Sequence, residues 1–223
     1  MIHTATIKIK VVLGEPSPPP PPPLPPFVGT RIKIALAEDK LNFKIASLET
    51  APGSETFTID WGDGTSQEEI GTTGLGHVYA QPGEYVIRIS DDISAMVAVD
   101  ATEEMQFFAP CYLSFWSNAT QLKTLKSQAF RNCANLTMVD FAASAINNLY
   151  PGVFYGCTAL PPVIYMPKVN TFHGPGNVPP FKGCSQITEL HFSAANEAAI
   201  KASTTWAKDP TIGTGTATCF FDP

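Results

Sequence analysis

Acidic side chains around a glycine-rich turn are the first residues with the chemistry to bind a metal or to transfer a proton. Asp60 and Asp63 lie in the segment 59–65, IDWGDGT, and Glu68 and Glu69 follow it. Oxygens around a glycine turn suit calcium, but a calcium loop needs more of them in closer array. A carboxylate pair for glycoside hydrolysis needs a substrate cleft, which no pattern here indicates. We therefore expect Asp63 to accept hydrogen bonds from backbone amides of its own turn.

The remaining candidates for chemistry are dispersed. His3, His173 and His191 are scattered, and His77 is expected to be a packed or hydrogen-bonded residue. The chain contains no G-x-S-x-G elbow, no P-loop, no G-x-G-x-x-G turn and no C-x-x-C pair. The sequence therefore predicts a protein that is not an enzyme and that requires no metal and no cofactor.

A short repeat must organise the second half of the chain. The segment 130–136, FRNCANL, returns as 154–160, FYGCTAL, and as 181–187, FKGCSQI, and a weaker copy, WSNATQL, occupies 116–122. Repeats of this length bury their apolar residues only by stacking on neighbours, so equivalent residues form columns. The predicted aromatic, cysteine and aliphatic columns are Phe130, Phe154 and Phe181; Cys133, Cys157 and Cys184; Leu136, Leu160 and Ile187.

Cysteines at the repeat position are expected to act as small apolar core residues, not as halves of disulfides. Cys111 and Cys219 lie outside the repeat, and the sequence leaves open whether they pair.

The repeat resembles the BspA-type leucine-rich repeat, in which A-F-x-x-C-x-x-L-x-x-V/I recurs, and the segment 129–139 fits that pattern at every marked position. The resemblance implies a short parallel strand in each turn, here 138–141, 163–165 and 189–192. We expect this domain to cover 101–223 with caps at both ends. An alanine-rich helix over 193–208 and a last strand over 217–222 form the C-terminal cap.

Residues 30–100 alternate apolar and polar side chains with turn signals between short runs, which predicts an antiparallel β-sandwich. Two motifs here resemble the PKD (polycystic kidney disease) domain, whose signature is WGDG followed by H-x-Y-x-x-x-G-x-Y-x-V. The resemblance implies an immunoglobulin-like sandwich. Its matching residues are Trp61, Asp63, Gly64, His77, Tyr79, Gly83 and Tyr85.

The N-terminal region has two parts. Residues 1–15 are predicted to form a strand segment, and the sequence leaves open whether it docks to another protein. Residues 16–29 are a polyproline linker. A stiff spacer is the favoured interpretation of the linker, and a ligand for an SH3 or WW groove is the other. The first residues lack the apolar core of a signal peptide. Three interpretations stay open: export by another route, a trimmed N-terminus, or a protein that the general pathway does not export.

The composition narrows the class of partner. A net charge of −6 argues against nucleic acid and against an anionic membrane surface. No apolar run reaches the roughly 18 residues needed to span a bilayer, so we expect no membrane insertion.

Two binding scaffolds in series favour a cell-surface or extracellular adhesion protein that binds a host protein, matrix component or glycan. Tyr150, Tyr155 and Tyr165 lie between the predicted columns and are the candidate binding residues. A structural or accessory protein of a phage or prophage particle, associated with its tail or fibre, is the second interpretation. A carbohydrate-active enzyme with an accessory PKD module is the third, but the remaining sequence offers no catalytic domain.

Overall fold

A computed structural model describes residues 27–45, 47–69, 75–97, 108–173 and 178–223. The predicted strand segment at 1–15 and most of the linker at 16–29 lie outside these ranges, as do residues 101–107 of the predicted N-terminal cap. The described chain is mainly β, with two short helices near the C-terminus.

Among the described residues, the first half contributes eight strands, several of which alternate buried with more exposed side chains. They are β1 (Gly29–Leu36), β2 (Asn42–Lys44), β3 (Ser47–Thr50), β4 (Phe57–Asp60), β5 (Ser66–Glu69), β6 (Gly76–Val78), β7 (Gly83–Ser90) and β8 (Ile93–Val97). In β1, for example, Ile32 and Ile34 are buried while Lys33 is partly exposed. This alternation confirms the strand character predicted from the period of two, although β3, β5 and β6 were not anticipated.

Within the described ranges, the second half contributes eight more strands and two α-helices. The strands are β9 (Tyr112–Ser117), β10 (Thr124–Leu125), β11 (Met138–Asp140), β12 (Asn148–Leu149), β13 (Val163–Tyr165), β14 (Thr171–Phe172), β15 (Glu189–Ser193) and β16 (Thr218–Asp222). The helices are α1 (Glu197–Lys201) and α2 (Thr204–Lys208).

Strands from both halves join the same sheets. The six-stranded sheet runs β11-β9-β1-β7-β4-β5, and the five-stranded sheet runs β14-β12-β10-β8-β3. In the first, Trp116 of β9 lies opposite Arg31 of β1 in an antiparallel pair and opposite Asp140 of β11 in a parallel pair. In the second, β8 pairs antiparallel with β3 and parallel with β10. The predicted boundary between 30–100 and 101–223 is therefore not a boundary of the sheets, and the buried residues of the two halves form one continuous core.

Parallel pairing appears in three places among the described residues of the repeat region: between β9 and β11, along β10-β12-β14, and along β13-β15-β16. The predicted strands at 138–141, 163–165 and 189–192 correspond to β11, β13 and β15. The three predicted strands therefore do not share one sheet. The ladder β10-β12-β14 was not predicted, because a strand of two residues leaves almost no periodic signal.

The three repeat phenylalanines form the predicted aromatic column. The ring centroids of Phe130 and Phe154 are 5.4 Å apart and those of Phe154 and Phe181 are 5.2 Å apart, with planes within 10° of parallel. Backbone hydrogen bonds link the turns at this level: the amide of Phe130 donates to the carbonyl of Val153, and the amide of Phe154 donates to that of Pro180. Stacking and backbone pairing thus act on the same residues.

The cysteine column lies beside the aromatic column. Cys133, Cys157 and Cys184 are buried free thiols. The thiol of Cys157 donates to the Phe130 carbonyl over 2.9 Å, and burial raises its pKa well above the usual range. Burial likewise raises the pKa of Cys184 to about 12. The thiols of Cys157 and Cys184 therefore stay protonated, and each donates to a carbonyl of the preceding turn, so that both bridge successive turns. Leu136, Leu160 and Ile187 are buried as the third column.

Trp116 does not extend the aromatic column of the core, although the weak repeat copy aligns it with Phe130. It lies on the outer face of β9, where the guanidinium of Arg31 sits 4.5 Å above its ring. Phe115 is buried instead and contacts the Phe130 ring at 5.0 Å. The prediction failed because adjacent residues of a strand face opposite sides, so a shift of one position exchanges core and surface.

The predicted helix over 193–208 is broken into α1 and α2. Ser203 between them has an extended backbone, and its hydroxyl accepts a hydrogen bond from the amide of Trp206, which caps α2. Ile200 is buried and Trp206 packs against the core, as their spacing on one face predicted.

Candidate ligand-binding groove

Parallel pairing of β13, β15 and β16 brings three aromatic rings into one outward-facing row. The register places Tyr165 beside His191, and His191 beside Phe220. The ring centroids are 4.6 Å apart for Tyr165 and His191, and 4.8 Å apart for His191 and Phe220. Tyr165 is 58% exposed and Phe220 is 39% exposed, whereas the imidazole between them is largely covered. We call these three side chains the aromatic row.

Two carboxylates hold the central imidazole of the aromatic row. Nδ1 of His191 lies 2.8 Å from Oδ2 of Asp222, and Nε2 lies 3.1 Å from Oε2 of Glu189. Burial of the ring lowers the pKa of His191, but the hydrogen bonds and charges of Glu189 and Asp222 outweigh it and raise the pKa above its ordinary value. The imidazole therefore carries its positive charge to a higher pH than a free histidine does.

A groove of about 310 Å³ lies beside the aromatic row and crosses the C-terminal ends of the parallel strands. Its apolar lining comes from Ala142, Pro167 and the buried ring of Phe192, with Tyr165 at the side. Polar groups are supplied by three side chains: His191, Ser193 and Asp222. A concave, mainly apolar surface with a few convergent polar groups is the usual form of a binding site, and this volume is near the lower end for such sites.

The structure separates the three tyrosines that were predicted to bind ligand. Only Tyr165 lines the groove. Tyr150 is partly buried and stacks on His173 at 4.2 Å. Tyr155 lies beneath the guanidinium of Arg131, at 4.9 Å from the ring centroid. Tyr155 also borders a separate pocket of about 100 Å³.

The acidic turn of the first half forms a tight polar cluster. The Asp63 carboxylate accepts hydrogen bonds from the amide and hydroxyl of Thr65 through Oδ1, and its Oδ2 lies 2.7 Å from Nε2 of His77. The imidazole of His77 stacks on Trp61 at 5.1 Å, and the hydroxyl of Tyr79 donates to the Trp61 carbonyl. Asp63 therefore bonds within its own turn, as expected.

Opposing effects set the acidity of Asp63. Burial raises its pKa, but the hydrogen bonds from Thr65 and His77 and the charge of His77 prevail and lower the pKa to about 2. Asp60 is also engaged, since it accepts from the amide of Gly62 and pairs with Arg88 at 2.9 Å. Across the part of the chain that the structure describes, no group of three or more His, Cys, Asp or Glu side chains could hold a metal ion.

Gly62 shows why this turn needs glycine. Its φ is +82°, and a Cβ there would lie 2.6 Å from the carbonyl oxygen of Val86. The last residues of the motif pack nearby: Tyr85 lies 4.2 Å from the Tyr79 ring, and Gly83 begins β7. Gly64 also has a positive φ, with open space around it.

Comparison with known protein families supports the repeat assignment. Residues 104–204 match, in six copies, the family model of the BspA type leucine rich repeat region. Six copies exceed the four that the spacing of aromatic residues indicated. The same comparison detects no PKD domain. No curated protein and no solved structure matches the chain. Among the described residues, no helix is long and apolar enough to cross a membrane.

Sequence reasoning missed His191, Phe220, Asp222 and Glu189 as members of the candidate site. The outward positions of the strand 189–192 carried the available signal, since alternation places Glu189 and His191 on one face. Phe220 and Asp222 could not be aligned with them, because the helices intervene and the repeat motif does not extend to β16.

Proposed function

We propose that this chain is a non-enzymatic recognition protein of the cell surface or extracellular space, which binds a host protein, matrix component or glycan. The exposed aromatic row beside the 310 Å³ groove carries this proposal. Aromatic side chains with a polar edge are enriched where proteins bind partners, because they bury a large apolar area at low entropic cost. The repeat family adds support, since BspA-type repeats suggest surface binding or adhesion modules.

We further infer that the architecture is an immunoglobulin-like module of the PKD type fused to a short leucine-rich solenoid. The stacking of Trp61 on His77, with Tyr79 beneath the same turn, supports the first assignment. The recurring Phe and Cys contacts between turns support the second. The shared sheets would hold the two modules as one rigid platform for the groove.

Absence of catalysis is part of the proposal. Two of the carboxylates that first suggested chemistry are engaged in local contacts, Asp63 with Thr65 and Asp60 with Arg88. The buried thiols of Cys157 and Cys184 are held protonated, which makes them poor nucleophiles.

An array of extracellular-matrix proteins and glycans tests the proposal. The chain should retain specific ligands, and Tyr165→Ser should weaken their binding. Met138→Ser is the matched control, because Met138 is also an exposed apolar residue, at 43%, of a parallel strand but does not line the groove. Thermal melting must show both variants folded. Failure to retain any ligand, or equal loss in both variants, would contradict the proposed site.

A further inference from the structure

We propose that the groove beside the aromatic row binds an extended segment of a partner protein that presents a lysine or arginine next to an apolar side chain. This inference rests on the proposed recognition function and narrows its ligand. The apolar side chain would pack on Ala142, Pro167 and Phe192, and the cation would approach Asp222 at the polar end.

Charge complementarity is the main argument. Glu189 and Asp222 are 44% and 49% exposed, and among the described residues neither pairs with a lysine or arginine. A single imidazole, that of His191, serves both carboxylates. At least one negative charge at the end of the groove is therefore uncompensated, in a chain whose net charge is −6. A partner cation would neutralise it.

The arrangement of the rings favours a side chain over a flat sugar. The His191 ring has Tyr165 on one side and Phe220 on the other, so stacking within the row already occupies its faces. A pyranose ring needs an open aromatic face as its platform, whereas a lysine or arginine stem requires only the apolar walls of the groove. The volume of about 310 Å³ suits one or two side chains.

The protonation of His191 gives the binding a distinctive pH dependence. The groups that contact its ring are Glu189 on the same strand, Tyr165 on β13, and Phe220 and Asp222 on β16. The imidazolium is the only positive charge among these five side chains, so its deprotonation leaves only the negative charges of Glu189 and Asp222. Affinity for a cation should therefore rise as the pH increases through the raised pKa of His191.

Calorimetric titration with three capped peptides tests the inference on the full chain. One peptide alternates leucine with arginine, the second replaces arginine by citrulline, which has the same shape without the charge, and the third replaces it by glutamate. A neutral oligosaccharide is the fourth probe. The arginine peptide should bind, the glutamate peptide should not, and the citrulline peptide should bind about fivefold more weakly, the size expected for a half-exposed ion pair.

Variants assign the effect to the groove. Asp222→Asn should weaken the arginine peptide about fivefold and leave the citrulline peptide unchanged. Glu197→Gln is the matched control, since it makes the same change in net charge on α1, where Glu197 pairs with Lys201. Equal loss in both variants would show non-specific attraction and overturn the inference.

The remaining outcomes separate this inference from the proposed function. Equal binding of the arginine and citrulline peptides, or binding of none, overturns the cationic ligand. Binding of the oligosaccharide alone, with loss in Tyr165→Ser, overturns it too but leaves a recognition function at this surface. The proposed recognition function and the cationic ligand are both contradicted only if the chain binds none of the four probes and also retains no ligand on the array.

Discussion

Replacing Phe154 by alanine is the sharpest perturbation of the fold. The Phe154 ring is fully buried, with Phe130 and Phe181 stacked on its two faces and Phe141 edge-on at 6.0 Å. Truncating a buried phenylalanine costs about 3–5 kcal/mol of unfolding free energy. Because two stacked pairs are lost together, we expect the upper part of that range, about 4–5 kcal/mol.

This loss is large relative to the whole stability of such a chain, about 5–15 kcal/mol. Urea denaturation at fixed pH measures it, and the midpoint should fall by about 2 M if the slope is near 2 kcal/mol per M. The repeat alone predicts loss of cooperative folding in the C-terminal half only. Because β9 pairs with β1 and β10 pairs with β8, we expect the first half to lose stability in the same transition.

Two intrinsic tryptophans distinguish these outcomes. Trp61 is buried in the first half, and Trp206 packs against the core near the C-terminus. Single-tryptophan versions of Phe154→Ala should show coincident, equally shifted transitions. Val78→Ala is the control, since Val78 is 69% exposed and its truncation should change stability by less than about 0.5 kcal/mol. A shift below about 1 kcal/mol for Phe154→Ala would refute the stacked column. Separate transitions at Trp61 and Trp206 would refute the continuous core.

Three further outcomes follow from particular residues. Gly62→Ala should lower the unfolding free energy by more than about 1 kcal/mol in urea titrations, because the residue has φ +82° and the new Cβ would clash with the Val86 carbonyl. Gly53→Ala is the control: its φ is also positive but the space around it is open, so the loss of unfolding free energy should be smaller. The pKa of Asp63 is about 2 in the folded chain and near 3.8 in the unfolded chain, so ionised Asp63 stabilises the fold above pH 3.8 and this stabilisation is lost as the pH falls towards 2. In Asp63→Asn the melting temperature should depend less on pH over that interval. The pKa of His191 is raised in the folded chain, so its stabilisation of the fold is complete below the pKa of the unfolded chain and is lost as the pH rises through the pKa of the folded chain. The melting temperature should therefore fall between pH 5 and pH 9, and His191→Gln should remove this fall.

Local patterns in the sequence predicted several of the strands and the stacked columns of the repeat. Alternation predicted strands such as β1 and β7, and the repeat predicted the stacking of Phe130, Phe154 and Phe181. These features were accessible because each depends on which face of a strand or turn a residue occupies, and that follows from its spacing along the chain.

Long-range pairing decided the rest. The union of the two halves depends on β1 choosing β9 as its edge partner, and nothing in the alternation of either strand specifies that choice. The candidate groove depends on His191 meeting Asp222, a residue 31 positions later that a helical excursion returns to the sheet. Hydrogen-bonding edges of strands are chemically alike, so only the packing of the complete core determines which edges meet. The sequence therefore determined the columns of buried residues in the repeat, and the tertiary structure decided which outward-facing side chains stand together as a surface for binding.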